Sequence, residues 1–371
     1  MPELPECERA RALIDAIARG ARITRVTRCE PLDDKVFVAQ SAGAFERALE
    51  GATLIASSRR GKQLYWELVK ENARDGGVEQ TVVAHFHLGM TGAFVARGAK
   101  GISYYNSTAT GLGTWPPRFY KVIVEFDNGS EVAYVDPRRF GRIGLARDVE
   151  DVTRGLGLDP SKGELTSEAF ASSVGRRKVA IKTALMDQKL IAGLGNWMAD
   201  EILYRARVHP ESRANELSAT QTASILERIH EVVRVACEAN SDHELFPKDW
   251  LFHSRWGKTA GAEVNGDAIS FIEVGGRTTA FVPRVQLKTE GVPRAMSTST
   301  TSNAAAKRPP RAKRRASADE PPRAVDAGSK KKLSGERATP SRAPKAEVRA
   351  KAKTRAKLSR APAVVARTRV V

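Results

Sequence analysis

Two residues at the start of the chain have the types needed for an unusual piece of chemistry. Pro2 follows Met1, and a small second residue normally lets the initiator methionine be removed, which frees the ring nitrogen of Pro2 as a secondary amine. Attack by such an amine on an aldehyde-like sugar carbon gives an iminium that is cationic without a proton, so it is an electron sink at any working pH. Glu3, beside it, can handle protons. A second constellation lies in LMDQKLIAGLGNWMADEILYRARVHP, Leu185 to Pro210. Gly193 and Gly195 stand just before Asn196, which can cap a helix whose Met198, Ile202 and Ala206 recur every four residues and form a buried stripe with Ala199 and Leu203. Glycines there let the backbone approach an anion closely, and the orphan N–H groups of a helix start point at it. An ordinary helical hairpin with glycine turns accounts for the same spacing.

Three shorter signals lie between these two. RRGKQLYWEL puts Lys62 at a strand start, where a solvated lysine is the plain reading. HLGMTG sets Met90 between two glycines, a place for a core filler. DPRRFGRI carries Arg138, Arg139 and Phe140 on a turn, and an aromatic on a turn is harder to explain as core.

Taken in order, the MPELPE start, these three signals and the DQKLIAGLGNWMADEILYRARVHP stretch resemble the formamidopyrimidine-DNA glycosylase family, over roughly Pro2 to Leu287. Leu4 favours that branch over the related endonuclease VIII branch, whose start resembles MPEGPE. The resemblance implies that Pro2 is the nucleophile, Glu3 its acid/base partner, and Lys62 a hairpin lysine that contacts phosphate and assists elimination. It implies that Met90, Arg138 and Phe140 enter the duplex, filling the gap and meeting the orphaned base once the damaged nucleotide leaves. Lys182, Asn196 and Glu201 match positions that line the lesion or phosphate site or hold the domain interface; Lys182 and Asn196 are assigned to DNA, and Glu201, with Glu6, to structure. For Glu201 a solvated helix face is the competing reading. Arg277 matches a finger arginine directed at the phosphate flanking the lesion, against the plainer reading of a hairpin-turn arginine.

The sequence departs from the bacterial pattern after Trp250. Bacterial relatives are implied to carry four cysteines in this hairpin for zinc, whereas the segment here has none, and His243 and His253 lack ligand spacing. It resembles the zincless finger of plant and fungal members, so no metal and no cofactor is expected. The expected activity is that of a bifunctional glycosylase and strand-cleaving lyase acting on duplex DNA with oxidised purines or abasic sites, formamidopyrimidines foremost and 8-oxoguanine left open. A non-catalytic damaged-DNA or chromatin-binding protein is the alternative class, and lyase chemistry from Lys62 the alternative within enzymes.

These residues need a scaffold, and the patterning suggests an α+β one. Cys7, Ala10, Leu13, Ile14 and Ile17 fall on one face of an N-terminal helix stopped by Gly20. Short strands follow at Ile23 to Thr27, Gln63 to Leu68, Thr81 to His87, Gly92 to Ala96 and Lys121 to Phe126, the last joined to EVAYV through an Asn128-Gly129 turn. An antiparallel β-sandwich is their natural packing. The expected organisation is a catalytic domain over 1–147, a polar linker over 148–164, a helix-two-turn-helix domain over 165–245, a finger over 246–288 whose Thr278 to Val282 reads as a strand, and a tail over 289–371.

Charge separates the tail from the rest. The whole chain has 61 Lys+Arg against 43 Asp+Glu, a formal +18, yet from Gly291 onward there are 22 against 5, which leaves 39 against 38 for residues 1–290. The tail has no Phe, Trp or Tyr, so it cannot offset its ordering entropy by apolar burial and is expected to be disordered. It is also expected to raise non-specific DNA affinity, and KRPPRAKRR (Lys307 to Arg315) suggests nuclear import. Cys7, Cys29 and Cys237 are too few and scattered for a disulfide framework, and no apolar run approaches a membrane span. A monomeric, soluble nuclear protein is the expectation.

Overall fold

The computed structural model describes residues 2–37, 43–72, 78–98 and 114–288. Met1 and the basic tail after Lys288 lie outside the described residues. Residues 1–298 form one compact unit.

Helix α1 (Leu4–Ala18) begins at the PELPE motif, with Pro5 in its first turn, where a missing N–H costs nothing. It buries Cys7, Ala10, Ile14 and Ala18 against a mixed helix and antiparallel-sheet body. The strands are β1 (Ile23–Arg28), β2 (Thr53–Arg60), β3 (Gln63–Asn72), β4 (Val78–His87), β5 (Ala93–Ala96), β6 (Tyr120–Phe126), β7 (Glu131–Val135) and β8 (Arg142–Ala146), with a short helix α2 (Ala44–Leu49) between β1 and β2. They form two four-stranded antiparallel sheets in the orders β1-β6-β7-β5 and β2-β3-β4-β8. One aromatic-rich core draws on both sheets: Trp66 and Phe86 from the second pack on Phe94 and Tyr134 from the first, with ring centroids 5.1–6.2 Å apart.

Two strands escape the sequence pattern for identifiable reasons. A register shift between Leu54 and Ala56 breaks the alternation of β2, and its SSRR end reads as polar loop. Ser57 and Arg59 are nonetheless buried, because Arg59 is ion-paired on both sides. β8 follows so closely on the Phe140 turn that its Gly144 disguises it.

Residues 148–164, expected as a polar linker, carry local structure of their own. They form helix α3 (Val149–Thr153), capped by Asp148, and a 3-10 turn at Pro160–Lys162. Asp159 is fully buried, 2.7 Å from the Arg59 guanidinium, and also accepts the Gly61 N–H at 2.8 Å. The helical half then holds α4 (Ser167–Val174), α5 (Ile181–Met186), α6 (Asn196–Arg205) and α7 (Ala219–Glu238), the last opened by a Ser218/Gln221 capping box. Their apolar faces share a core that also takes Leu4 from the N-terminal motif. Two short ladders close the fold, β9 (Glu263–Val264) with β10 (Asp267–Ala268), and β11 (Ser270–Val274) with β12 (Arg277–Phe281) turning at Gly275-Gly276. The strand expected at 278–282 is thus found one residue earlier. Among the described residues no helix is long and apolar enough to cross a membrane.

Candidate active site

The N-terminal motif, the β2–β3 turn and the glycine turn before α6 meet at one place. Gly195 is the N-cap of α6, and the first turn of that helix exposes N–H groups with no partner inside it. Glu3 supplies the acceptors: one carboxyl oxygen takes the Trp197 N–H at 2.9 Å and the other the Met198 N–H at 3.1 Å. The anion expected at this helix start is therefore a side chain of the protein itself. Asn196, expected to cap the helix, is instead its first residue, and its Nδ2 donates to the Thr278 carbonyl of the β11–β12 hairpin at 3.0 Å.

The glycines are explained by this approach. A Cβ on Gly195 would sit 2.3 Å from the Glu3 carboxyl carbon, and one on Gly193, at φ +109°, would sit 2.7 Å from Leu4. The Leu4 N–H donates to the Gly193 carbonyl at 3.1 Å. The Glu3 N–H donates to Glu6 at 2.8 Å, as in a capping box at the start of α1. Glu6 also faces His243 at 3.6 Å.

Lys62 occupies the β2–β3 turn, where Gly61 presses on Ala192 and Gly193. Its Nζ donates to the Leu194 carbonyl at 2.8 Å. Lys62 is half-buried rather than freely solvated. Burial lowers its pKa, with the Glu3 carboxylate opposing the shift and Arg277 adding to it. Burial likewise raises the pKa of Glu3, against the pull of Lys62 and the two helix N–H groups. The Glu3 carboxyl thus holds a proton more readily than a solvated carboxylate does, the direction a proton-handling group requires. Nearby, burial and the Lys62 charge push His87 down to about 4, which leaves it neutral as it accepts the Gly89 N–H at 3.1 Å.

Met90, Arg138 and Phe140 form a separate group. Gly89 packs so tightly on the Phe140 and Gly141 backbone that a Cβ would meet it at 2.4 Å, which docks the Met90 turn on the Phe140 turn. Asp136, fully buried, ties both: it accepts from Thr91 Oγ1 at 2.7 Å and from the Gly141 N–H at 2.7 Å. Phe140 stands 50% exposed with the exposed Arg138 guanidinium 5.1 Å from its ring centroid, so the aromatic is outside the core.

Lys182 requires a correction. It was assigned to DNA, yet it is fully buried, and its Nζ donates to Asp200 at 2.6 Å, Thr279 Oγ1 at 2.7 Å and the Thr278 carbonyl at 3.2 Å. Those three acceptors use all three ammonium protons, and Lys182 serves to lock α5 and α6 to the hairpin. Asp200 completes the lock by accepting Arg255 at 2.7 Å and the Ala280 N–H at 3.1 Å. Neither Asp200 nor Arg255 was found from sequence, because 55 residues separate them. Glu201 is not on a solvated face: it is fully buried, accepts the Phe252 N–H at 2.8 Å, and burial pushes its pKa to about 8. Arg277 begins β12, exposed, at the mouth of the groove between hairpin and α5. Among the described residues no group of His, Cys, Asp or Glu has the arrangement of a metal site.

Three family models match the chain in this order: the formamidopyrimidine-DNA glycosylase N-terminal domain over residues 1–143, its H2TH domain over 156–245, and a formamidopyrimidine-DNA glycosylase-like C-terminal domain over 250–283. A formamidopyrimidine-DNA glycosylase of Arabidopsis thaliana is 38% identical over 288 residues, 77% of this chain and 71% of that one. One of Gluconobacter oxydans is 32% identical over 77% of this chain and 100% of its own length. The fold is similar to that of the Lactococcus lactis enzyme solved non-covalently bound to DNA containing an AP site, with a TM-score of 0.60 and 25% identity over 77% of this chain and 100% of that one. The motifs, the domain order and these likenesses agree, and the chain belongs to the formamidopyrimidine-DNA glycosylase family.

Proposed function

We propose that this protein is a bifunctional DNA glycosylase and AP lyase that removes oxidised purines, formamidopyrimidines foremost, from duplex DNA in base excision repair. The observation that carries the reading is the Glu3 carboxyl, buried against the start of α6 beside Lys62, which fixes the N-terminal residue at the junction of the two halves. A base inside a duplex hides its glycosidic carbon, so the nucleotide must be flipped out at a cost of about a few kcal/mol. Phe140, Arg138 and Met90, set on two interlocked turns, are suited to fill the vacated space and offset that cost. The Pro2 nitrogen, once Met1 is removed, then attacks the anomeric carbon. A nitrogen–carbon bond forms and the glycosidic bond breaks, with the electron pair leaving on the base. The Pro2 N–H proton passes to the departing base, and proton transfer from Glu3 to the ring oxygen opens the sugar and leaves the iminium. Loss of a proton from the adjacent carbon expels one flanking phosphate, a second elimination expels the other, and water releases Pro2. Lys62 and Arg277 are placed to meet the negative charge on those phosphates, and Asn196 to hold the hairpin that carries Arg277.

Within this reading the two sheets are the β-sandwich of the catalytic domain, and β11–β12 is a zincless finger held by packing. The supporting facts are the cysteine-free segment, its own small core of Leu251, Val264, Ile269, Ala280 and Val282, and the lock of Lys182 on Thr278 and Thr279. The tail is a DNA tether and nuclear import signal. Borohydride trapping on a lesion panel, with peptide mapping of the adduct, tests the proposal. It should link DNA to Pro2; an adduct on Lys62, or none with any oxidised purine or abasic site, refutes it, and retention of Met1 in the mature protein points to damaged-DNA binding without chemistry.

A further inference from the structure

The turn between α4 and α5, Arg176-Arg177-Lys178-Val179, takes no part in the steps above. Val179 leaves 44% of its surface in solvent, unusual for a branched apolar residue beside a packed helix, and Lys178 is exposed next to it. Val179 borders a pocket of about 350 Å³ between α5 and the β11–β12 hairpin. Val179, Met186 and Val274 supply apolar lining, and Arg177 and Arg277 are both among its wall residues. Arg177 is ion-paired with Asp187 at 3.2 Å, and both residues line the pocket. Arg277 is close enough to Lys62 for its charge to be felt there. The pocket therefore shares Arg277 with the phosphate contact proposed above.

Two guanidinium groups beside an apolar lining match one chemical unit of this substrate well. A deoxyribose presents an apolar face to Val179 and Met186, and its phosphate accepts from planar N–H forks. We propose that the pocket is a subsite for the damaged strand, holding a sugar–phosphate unit beyond the nucleotide under attack, with Arg177 as the distal phosphate contact and Lys178 reinforcing the local field. The proposal rests on the glycosylase reading and extends the strand path past Arg277. Asp187 opposes it electrostatically and thereby limits how tightly the subsite holds undamaged DNA.

The test is binding of the full chain to duplexes carrying a reduced abasic site, which cannot react, trimmed one nucleotide at a time from either end. The wild-type protein should lose affinity in a step when trimming on one side removes the phosphate that Arg177 meets. The double variant Arg177→Ala/Lys178→Ala should lack that step, and its slope of log K against log salt should fall by about one for the lost phosphate contact. Asp187→Asn, which keeps an acceptor for the Lys189 N–H, should bind more tightly than wild type. The Arg177 side chain is 42% exposed, and a thermal melt of each variant confirms folding. A wild-type salt slope and an unchanged length step in the folded double variant overturn the subsite. Failure of the glycosylase reading shows separately, as absence of a Pro2 adduct while the length step persists.

Discussion

Replacing Gly195 by Ala should separate Glu3 from α6. The backbone at Gly195 is extended (φ −134°), so an alanine is not strained there by itself, and only the approach of Glu3 forbids it. The new Cβ would stand 2.3 Å from the carboxyl carbon and 2.5 Å from Oε1, so Glu3 must retreat by about 1 Å to reach ordinary contact. From 2.9 and 3.1 Å, a retreat of that size takes both N–H bonds beyond useful length. Hydrogen bonds to charged groups contribute about 1.5–3 kcal/mol each, so losing both costs about 3 kcal/mol at the low end. For a body of nearly three hundred residues, at about 2.1 cal/mol/K each, that is a melting shift of roughly 5 °C. The same displacement should slow single-turnover base excision by about 10²-fold, the usual effect of misplacing a reacting group by an ångström. The assay is urea unfolding of Gly195→Ala, of Glu3→Ala and of the double variant, with excision rates for the first. Without the Glu3 carboxyl, Gly195→Ala should cost almost nothing. An equal cost in both backgrounds refutes the reasoning, because the clash would then lie elsewhere.

Glu201 has a folded pKa near 8, above its unfolded value, so the stability gained from its neutral form is full below about pH 4.5 and is lost as pH rises through 8. Urea midpoints of the wild type should therefore fall between pH 5 and 9 more steeply than those of Glu201→Gln, and parallel curves would exclude this carboxyl. Lys182→Met leaves the buried Asp200 with Arg255 but without its lysine, which should cost about 3–5 kcal/mol and loosen the hairpin; if it instead lowers the salt slope of DNA binding in a stably folded protein, Lys182 reaches phosphate after all. Phe140→Ala should slow base removal from duplexes more than cleavage at a preformed abasic site, where no base needs extruding, and equal losses would make Phe140 merely structural. Deleting residues after 290 should flatten the salt slope, by about 0.9 per phosphate released, and exclude the protein from nuclei; an unchanged slope or continued import removes the corresponding role of the tail.

The sequence by itself determined which groups are candidates for the chemistry and much of the local structure. Pro2 and Glu3 are legible as candidates because the chemistry they suggest depends on type and position alone, α1 and α6 because each repeats its apolar residues at the helical period, and β6 and β7 because two short apolar runs flank an Asn128-Gly129 turn. The glycine turn before α6 was legible as an anion cradle, since glycines before a helix start expose N–H groups wherever they occur. Which anion fills it was decided only by tertiary structure: Glu3 lies nearly two hundred positions away, and no local pattern distinguishes a carboxylate of the same chain from a phosphate. Lys182 makes the same point in reverse. A lysine on a short helix reads as a surface cation until Asp200 and Thr279, brought in from α6 and the hairpin, surround it. β2 was hidden because its Ser57 and Arg59 are polar, and a polar residue can line a core only where distant partners satisfy it, here Glu8 and Asp159 on either side of Arg59. Local chemistry and period are written along the chain, whereas burial of charge is a property of which distant segments meet.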